Sequence, residues 1–235
     1  MWDEFRKWET DQKKRIPHPP PQKPYPEDTN LVELVSPDNF SVGTMPLIDV
    51  INRRRSRRKY NNLPFSLEEL SFLLWSTQGV QEVSQEGVRV LKTVPSGGAR
   101  HSFETYLFIN NVIDLEPGLY RYLSLDHKLL FLGSKPDLDE LITEACNNQR
   151  FIKDAAVVFV WTTIPYRMEW RYHLIAHKVI ALDAGHLCQN LYLSCESIGA
   201  GTCGIGAYDQ DKVDSLLGVD GVDEFTIYIA PTGKI

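Results

Sequence analysis

The chain has 235 residues, of which 43% are hydrophobic and 24% charged, and its formal net charge is −6. That length and mix fit one large globular domain or at most two small ones, and exclude a disordered or fibrous chain. The acidic balance argues against a general polyanion binder, so no nucleic-acid partner is expected, although a local basic patch can still take phosphate.

At the start of the chain, Trp2, Phe5 and Trp8 recur every third residue and predict a short amphipathic helix that needs a surface to pack on. "RIPHPPPQKPYPED" (15–28) then carries six prolines and reads as extended, polyproline-like chain. It is either a disordered leader or an arm draped over the body or over a partner subunit. Residues 1–45 are therefore set apart as an aromatic helix and Pro-rich arm, and 46–235 as the folded domain. The N-terminus lacks the apolar run of a signal peptide and no stretch has the length of a membrane span, so a soluble, cytoplasmic protein with no membrane partner is expected.

From Pro46 to about Arg54, Leu47, Ile48 and Ile51 fit a helix that runs into a basic stretch, six of the seven residues Arg53 to Lys59. Ser66 and Glu69 form a capping box that starts a helix ending at Gly79. "TVPSGGARHS" (93–102) follows, nearly stripped of side chains. It is a surface turn, or backbone that something flat or anionic must approach closely. "ETYLFI" (104–109) reads as a strand, "GLYRYLSLDHKLLFLG" as a hairpin, and Pro136 to Cys146 as a helix. "DAAVVFVWTT" (154–163) is apolar enough for a central strand covered on both faces. A long helix is expected from about Arg167 to Ile198, apolar or small on nearly every side through 179–198, and thus buried in the fold or in an oligomer interface. A short helix (209–217) and a last strand (224–230) close an α+β layer fold.

Several residue clusters invite chemistry. Cys146, Cys188, Cys195 and Cys203 form no C-x-x-C pair and read as free buried thiols in a reducing compartment, with no metal site. Gly199, Gly201 and Gly204 imitate a dinucleotide fingerprint with Asp220 downstream, but they follow a helix rather than a strand, which argues against a Rossmann site. "RRRSRRKY" (53–60) fits a solvated face, a nucleic-acid patch or a phosphate clamp, the last because Arg binds phosphate bidentately. Asp183, His186, Gln189 and Asn190 crowd two turns of the long helix, where hydrogen bonding within a buried helix explains them better than a metal does.

Taken in order, "NRRRSRRKY", "SLEELSFLLWSTQGV", "TVPSGGARHSFETY", "LEPGLYRY", "NNQRFIKDAAVVFVWT", "WRYHLIAHKVIALDAGHLCQNLYLSCESIGAGTCGIGAYD" and "GVDEFTIYIAPTGK" resemble the nitroreductase superfamily of flavin enzymes, from about residue 46 onward. Within it the chain looks most like the SagB-type branch, related to azoline dehydrogenases. The resemblance implies an FMN-dependent fold with a central mixed or antiparallel sheet flanked by helices. It also implies an intertwined homodimer with FMN at each subunit interface. By the same resemblance Arg54, Ser56 and Arg58 hold the FMN phosphate and pyrimidine edge, and Lys234 is a further phosphate ligand. Pro95, Ser96, Gly97, Gly98 and Arg100 reach the flavin bound mainly by the other subunit, and Gln149 meets the ring's polar edge. Gly204, Ile205 and Gly206 supply backbone donors toward N5, in a loop lacking the Pro and Glu of other nitroreductases.

Azoline dehydrogenases carry a Lys-Tyr pair where this chain has Arg171-Tyr172. Arg stays protonated and cannot accept a proton as Lys does, so Arg171 is assigned to an anionic substrate or reduced flavin and Tyr172 to proton donation. The alternative for both is a packed, salt-bridged helix. The implied function is an FMN-dependent oxidoreductase working by a ping-pong cycle, from NAD(P)H or an organic donor to a small-molecule acceptor. A SagB-type azoline dehydrogenase and a non-catalytic flavin-binding protein are the alternatives.

Overall fold

A computed structural model of the chain describes residues 7–27, 29–84 and 89–235. Trp2 and Phe5, and with them the expected N-terminal helix, lie outside the described residues. In chain order the strands are β1 (Leu31–Glu33), β2 (Val80–Val83), β3 (Val90–Lys92), β4 (Phe103–Ile109), β5 (Gly118–Leu123), β6 (Lys128–Gly133), β7 (Val157–Thr163), β8 (Ala200–Thr202) and β9 (Phe225–Lys234). The helices are α1 (Leu47–Arg53), α2 (Leu67–Gln78), α3 (Leu138–Ala145), α4 (Pro165–Tyr172), α5 (Ala176–Ser197) and α6 (Gln210–Leu217).

Seven strands pair in the order β1-β6-β5-β4-β7-β9-β8, and every pairing between them is antiparallel. The expected central strand is β7, flanked by β4 and β9. Side chains alternate across a strand, and β4 and β7 use both faces. Leu107, Ile109, Phe159 and Trp161 pack with Leu70, Leu73, Leu74, Val179 and Leu191 of α2 and α5. Tyr106, Phe108, Val158 and Val160 pack with Leu138, Ile142, Val213 and Leu217 of α3 and α6. The expected capping box starts α2: Ser66 Oγ accepts from the Glu69 amide and the Glu69 carboxylate accepts from the Ser66 amide.

Two expectations are corrected. The long helix is two, α4 and α5, separated by His173–Ile175, because His173 takes φ 49° and ψ −131°, values no helix can carry. In the single chain α5 keeps an exposed face, Ala181, Leu182, Gly185, His186 and Gln189, so the fold alone, the first of its two expected settings, does not bury it. The last strand runs on to Lys234. On α1 the predicted apolar residues Leu47, Ile48 and Ile51 are 53–65% exposed and only Val50 is buried.

The Pro-rich segment is extended, without helix or strand, and lies on its own body. Lys23 donates from its backbone amide to Glu104, Gln22 donates to Asp126, and Arg121 donates to the Lys23 and Pro24 carbonyls. All four cysteines are buried and unpaired. Among the described residues, no helix is long and apolar enough to cross a membrane.

Candidate functional site

The chain leaving α1 runs beside the sheet edge at β8. Ser56 bridges to Thr202 in parallel and the Arg57 amide donates to the Thr202 carbonyl at 2.9 Å. This extended backbone points successive side chains to opposite sides. Arg57 lies within 3.7 Å of the Glu196 carboxylate and Arg53 within 3.8 Å, while Arg55 folds back on the carbonyls of Asn52 and Arg54. Arg54 instead lies 5.5 Å from the Tyr192 ring centre and Arg58 6.0 Å from that of Phe151. Among the described residues neither is paired with a carboxylate. Between them Ser56 Oγ is 3.2 Å from the Tyr192 hydroxyl, which also accepts from the Gly204 amide at 2.8 Å. Arg54, Ser56 and the 204–206 loop are thus joined through Tyr192. No sequence signal singled out that tyrosine, one apolar-side residue among many in α5.

The second group is the 95–101 loop. Ser96 Oγ donates to the Asp183 carboxylate at 2.6 Å, the Gly97 amide donates to the same carboxylate at 3.1–3.2 Å, and the His101 amide donates back to Ser96 Oγ. Burial pushes the Asp183 carboxyl up, partly offset by these donors. Gly98 (φ 58°), Ala99 (φ 53°) and His101 (φ 45°) are left-handed. Such strain in non-glycine residues persists only where surroundings enforce it. A Cβ on Gly97 would meet Val179 Cγ1 at 2.3 Å, and one on Gly98 would sit 2.8 Å from Arg171 and 2.9 Å from the Tyr172 hydroxyl. Arg100 donates to the Gly98 carbonyl and lies 5.3 Å from the Trp170 ring centre. Burial and the Arg171 charge both push its guanidinium below its ordinary range. Burial, reinforced by Lys92, lowers His101 to about 3, so its ring is neutral.

The structure therefore brings Ser96, Gly97, Gly98, Arg100, Arg171 and Tyr172 together, and separately Arg54, Ser56 and Gly204, with Pro95 exposed at the loop's edge. The two groups touch α5 at Val179–Asp183 and at Tyr192, about 14–20 Å apart along a helix rising 1.5 Å per residue. Two cavities of about 510 and 690 Å³ flank α4 on its other side, around Tyr166, Glu169 and His177, and contain no predicted site residue.

Several of the expected site residues already have partners within the chain. Gln149 Nε2 donates to the Cys146 and Ala207 carbonyls, so this amide braces the 204–207 loop rather than offering its N–H groups outward. Lys234 is ion-paired with Glu69 and lies over the Phe65 ring, so its charge is already compensated. The Gly204 and Ile205 amides donate to Tyr192 and to the Ile229 carbonyl, whereas the exposed Gly206 amide has no acceptor among the described residues. Of the four polar residues expected to hydrogen-bond in a buried helix, Asp183 and Asn190 do so, Asn190 donating to the Ser76 carbonyl, whereas His186 and Gln189 are exposed.

An antiparallel sheet sandwiched by helices, with a cationic Ser-containing edge and a glycine loop on one long helix, is the pattern that family comparison resolves: residues 51–234 match the nitroreductase family, and the chain belongs to it. It is similar to the nitroreductase-like protein MJ1384 of Methanocaldococcus jannaschii, 30% identical over 203 residues, covering 86% of this chain and 96% of that one. Among solved structures, a nitroreductase homologue from Ralstonia eutropha is 26% identical with a TM-score of 0.72, covering 93% of this chain and 98% of that one. One from Anabaena variabilis is 28% identical with a TM-score of 0.73; the match covers 88% of this chain but only 42% of that longer one. A partial match, 28% identical over 57% of this chain and 37% of the other, is to the trifolitoxin-processing protein TfxB of Rhizobium leguminosarum bv. trifolii. The NADPH:FMN oxidoreductase of Vibrio harveyi, 17% identical with a TM-score of 0.56 over 80% of this chain and 68% of that one, shares the fold.

Proposed function

We propose that the protein is an FMN-dependent oxidoreductase whose site is completed by a second copy of the chain. The observation that carries this reading is the alternation in the basic run. Arg53 and Arg57 share Glu196, whereas Arg54 rests on the Tyr192 ring, whose hydroxyl meets Ser56 Oγ, and Arg58 rests on Phe151, neither with a carboxylate partner among the described residues. A guanidinium without a carboxylate beside a hydroxyl fits a dianionic phosphate, which Arg takes bidentately. The exposed Gly206 amide fits the polar edge of a flat ring, and Gly97 and Gly98 let their loop pack directly on Val179, Arg171 and Tyr172, which brings Arg171 and Tyr172 to it.

FMN, when bound, supplies a ring whose N5 accepts a hydride from NAD(P)H or an organic donor and passes it to a small-molecule acceptor, one after the other. The chain's own residues bind and orient. Arg54, Ser56 and Arg58 hold the phosphate, and Gly206 presents its N–H. From the partner copy, Pro95 to Arg100 would lie against the ring, with Arg171 receiving an anionic substrate and Tyr172 offering its hydroxyl proton. Exposed Leu47, Ile48, Ile51 and Leu182 supply the apolar surface such a homodimer would cover.

A second reading, an azoline dehydrogenase of the SagB type, draws on the partial match to TfxB and on Tyr172 standing against the glycine loop. The test is a titration of the purified protein with FMN and with riboflavin, followed by anaerobic NADH and NADPH. FMN bound at least about 30-fold more tightly than riboflavin, as roughly 2 kcal/mol of charge-assisted bonding to the phosphate requires, supports the phosphate clamp, and bleaching by a nicotinamide supports the first reading. Preference without bleaching moves the assignment to the second, and failure to take up FMN overturns both.

A further inference from the structure

The residues before the family match carry more contacts to α4 than a leader needs. The Gln12 amide donates to the Trp170 carbonyl at 2.9 Å, Trp170 Nε1 donates to the Ile16 carbonyl at 2.8 Å, and the Tyr166 hydroxyl donates to Asp11 at 3.1 Å. The Trp8 and His173 rings lie 5.4 Å apart, at the break that follows Tyr172. The His18 ring meets the Trp170 ring edge-on, and on that same indole rests Arg100 from the glycine loop. Trp170, only 7% exposed, is thus held between the arm and the loop.

Further along, the arm enters a buried charge network. The Lys23 amide donates to Glu104 at 2.8 Å, and the same Glu104 oxygen accepts from Arg167 of α4 at 2.6 Å. Lys23 Nζ reaches Glu224 at 2.6 Å, whose other oxygen accepts from the Tyr106 and Thr162 hydroxyls. Glu104, Glu224 and Arg167 are 2–6% exposed, and Lys23 is the cation paired with Glu224. A buried carboxylate stripped of its cation is strongly unfavourable, so the arm is locked to the body at this point.

We propose that residues 8–24 form a strap that positions α4, and through Trp170 the Arg100 side of the glycine loop, in their own subunit. Lys23 is the anchor and Trp170 the contact that passes the constraint on; neither touches the reacting groups. The role assigned to Arg171 and Tyr172 rests on the proposed function, but the strap's mechanical effect does not. The preference for FMN over riboflavin should be insensitive to it, because the phosphate residues sit at the other end of α5.

The test compares Lys23→Met, Lys23→Arg and Trp170→Phe in the full-length protein. Amide exchange is followed over 165–176 and over 198–207, together with FMN and riboflavin affinity and the KM and kcat for a quinone acceptor. Lys23→Met should speed exchange over 165–176 at least tenfold, leave 198–207 and the preference for FMN over riboflavin within twofold, and raise KM at least fivefold at unchanged kcat. Lys23→Arg should restore all of these. Trp170→Phe, which keeps the packing, should loosen 165–176 and the 96–101 loop together, and it decides the matter if Lys23→Met does not fold. Exchange that rises equally over both segments, or not at all, overturns the strap. A protein that shows the selective loosening but neither binds FMN nor turns over would keep the strap and remove the proposed function.

Discussion

At its Tyr192 end α5 meets charged, exposed chain, with Arg54 and Arg58 resting on aromatic rings and Ser56 on one hydroxyl. At its Val179–Asp183 end it meets a loop with almost no side chains, packed to contact and pinned through Ser96 and Gly97 to one buried carboxylate. The first group has no carboxylate partner among the described residues and, on the proposed function, receives its counter-charge from the FMN phosphate. The second is shaped in advance by the fold. Charge changes at the Tyr192 end should therefore alter binding and spare stability, whereas volume changes at the Asp183 end should alter the fold itself.

The largest expected effect comes from filling the loop end. Gly97→Val pushes a branched side chain onto Val179, and overpacking of this kind costs about 3 kcal/mol. Chemical denaturation should show the loss, and a midpoint equal to wild type would mean that the loop is not preformed. Next comes Arg54→Ala. Losing one charge-assisted phosphate contact of about 2 kcal/mol should weaken FMN about 30-fold, with stability within about 0.5 kcal/mol of wild type. Calorimetric titration and a melt on the same sample check the two halves, and a large fall in melting temperature would erase the contrast between the ends.

A third effect, spread over several pH units, concerns the polar interior beneath the loop. Lys92 is 7% exposed and donates to Gln78 and Ser124, both neutral, and burial lowers its ammonium to about 7. Unfolded, it keeps its proton up to an ordinary value of 10.5. Below about 7 both states are charged and the burial penalty is complete. As pH rises from there toward 10.5 the folded state sheds the proton first, so stability climbs, by up to about 1.4 kcal/mol per pH unit. Lys92→Met should flatten that climb in melts from pH 7 to 10, and an unchanged slope would place the titration elsewhere.

What the sequence made legible was local or carried by order of motifs. Ser66 and Glu69 are three residues apart, and their reciprocal bonds follow from that spacing alone. The intrachain partners of Gln149 and Lys234, Ala207 and Glu69, lie 58 and 165 residues away and are supplied only by the fold, so no local spacing announced them. The break at His173 carries no Gly or Pro to mark it. An apolar helix reads the same whether its last face meets a core or another subunit, which is why the sequence left two settings for α5 and did not single out its Leu182 side as the exposed one. The prolines announced an extended arm, but composition does not say that Lys23 ends between two buried carboxylates.

The 22 uninterrupted residues of α5 also act as a fixed gauge between the parts at its two ends. Inserting one residue between Asp183 and Tyr192 would turn one end against the other by about 100° and shift it about 1.5 Å. No whole number of residues restores both angle and distance. Variation in length among descendants of this chain should accordingly collect in the connections around the helix, such as 124–127 or 218–224, and be absent between those two side chains.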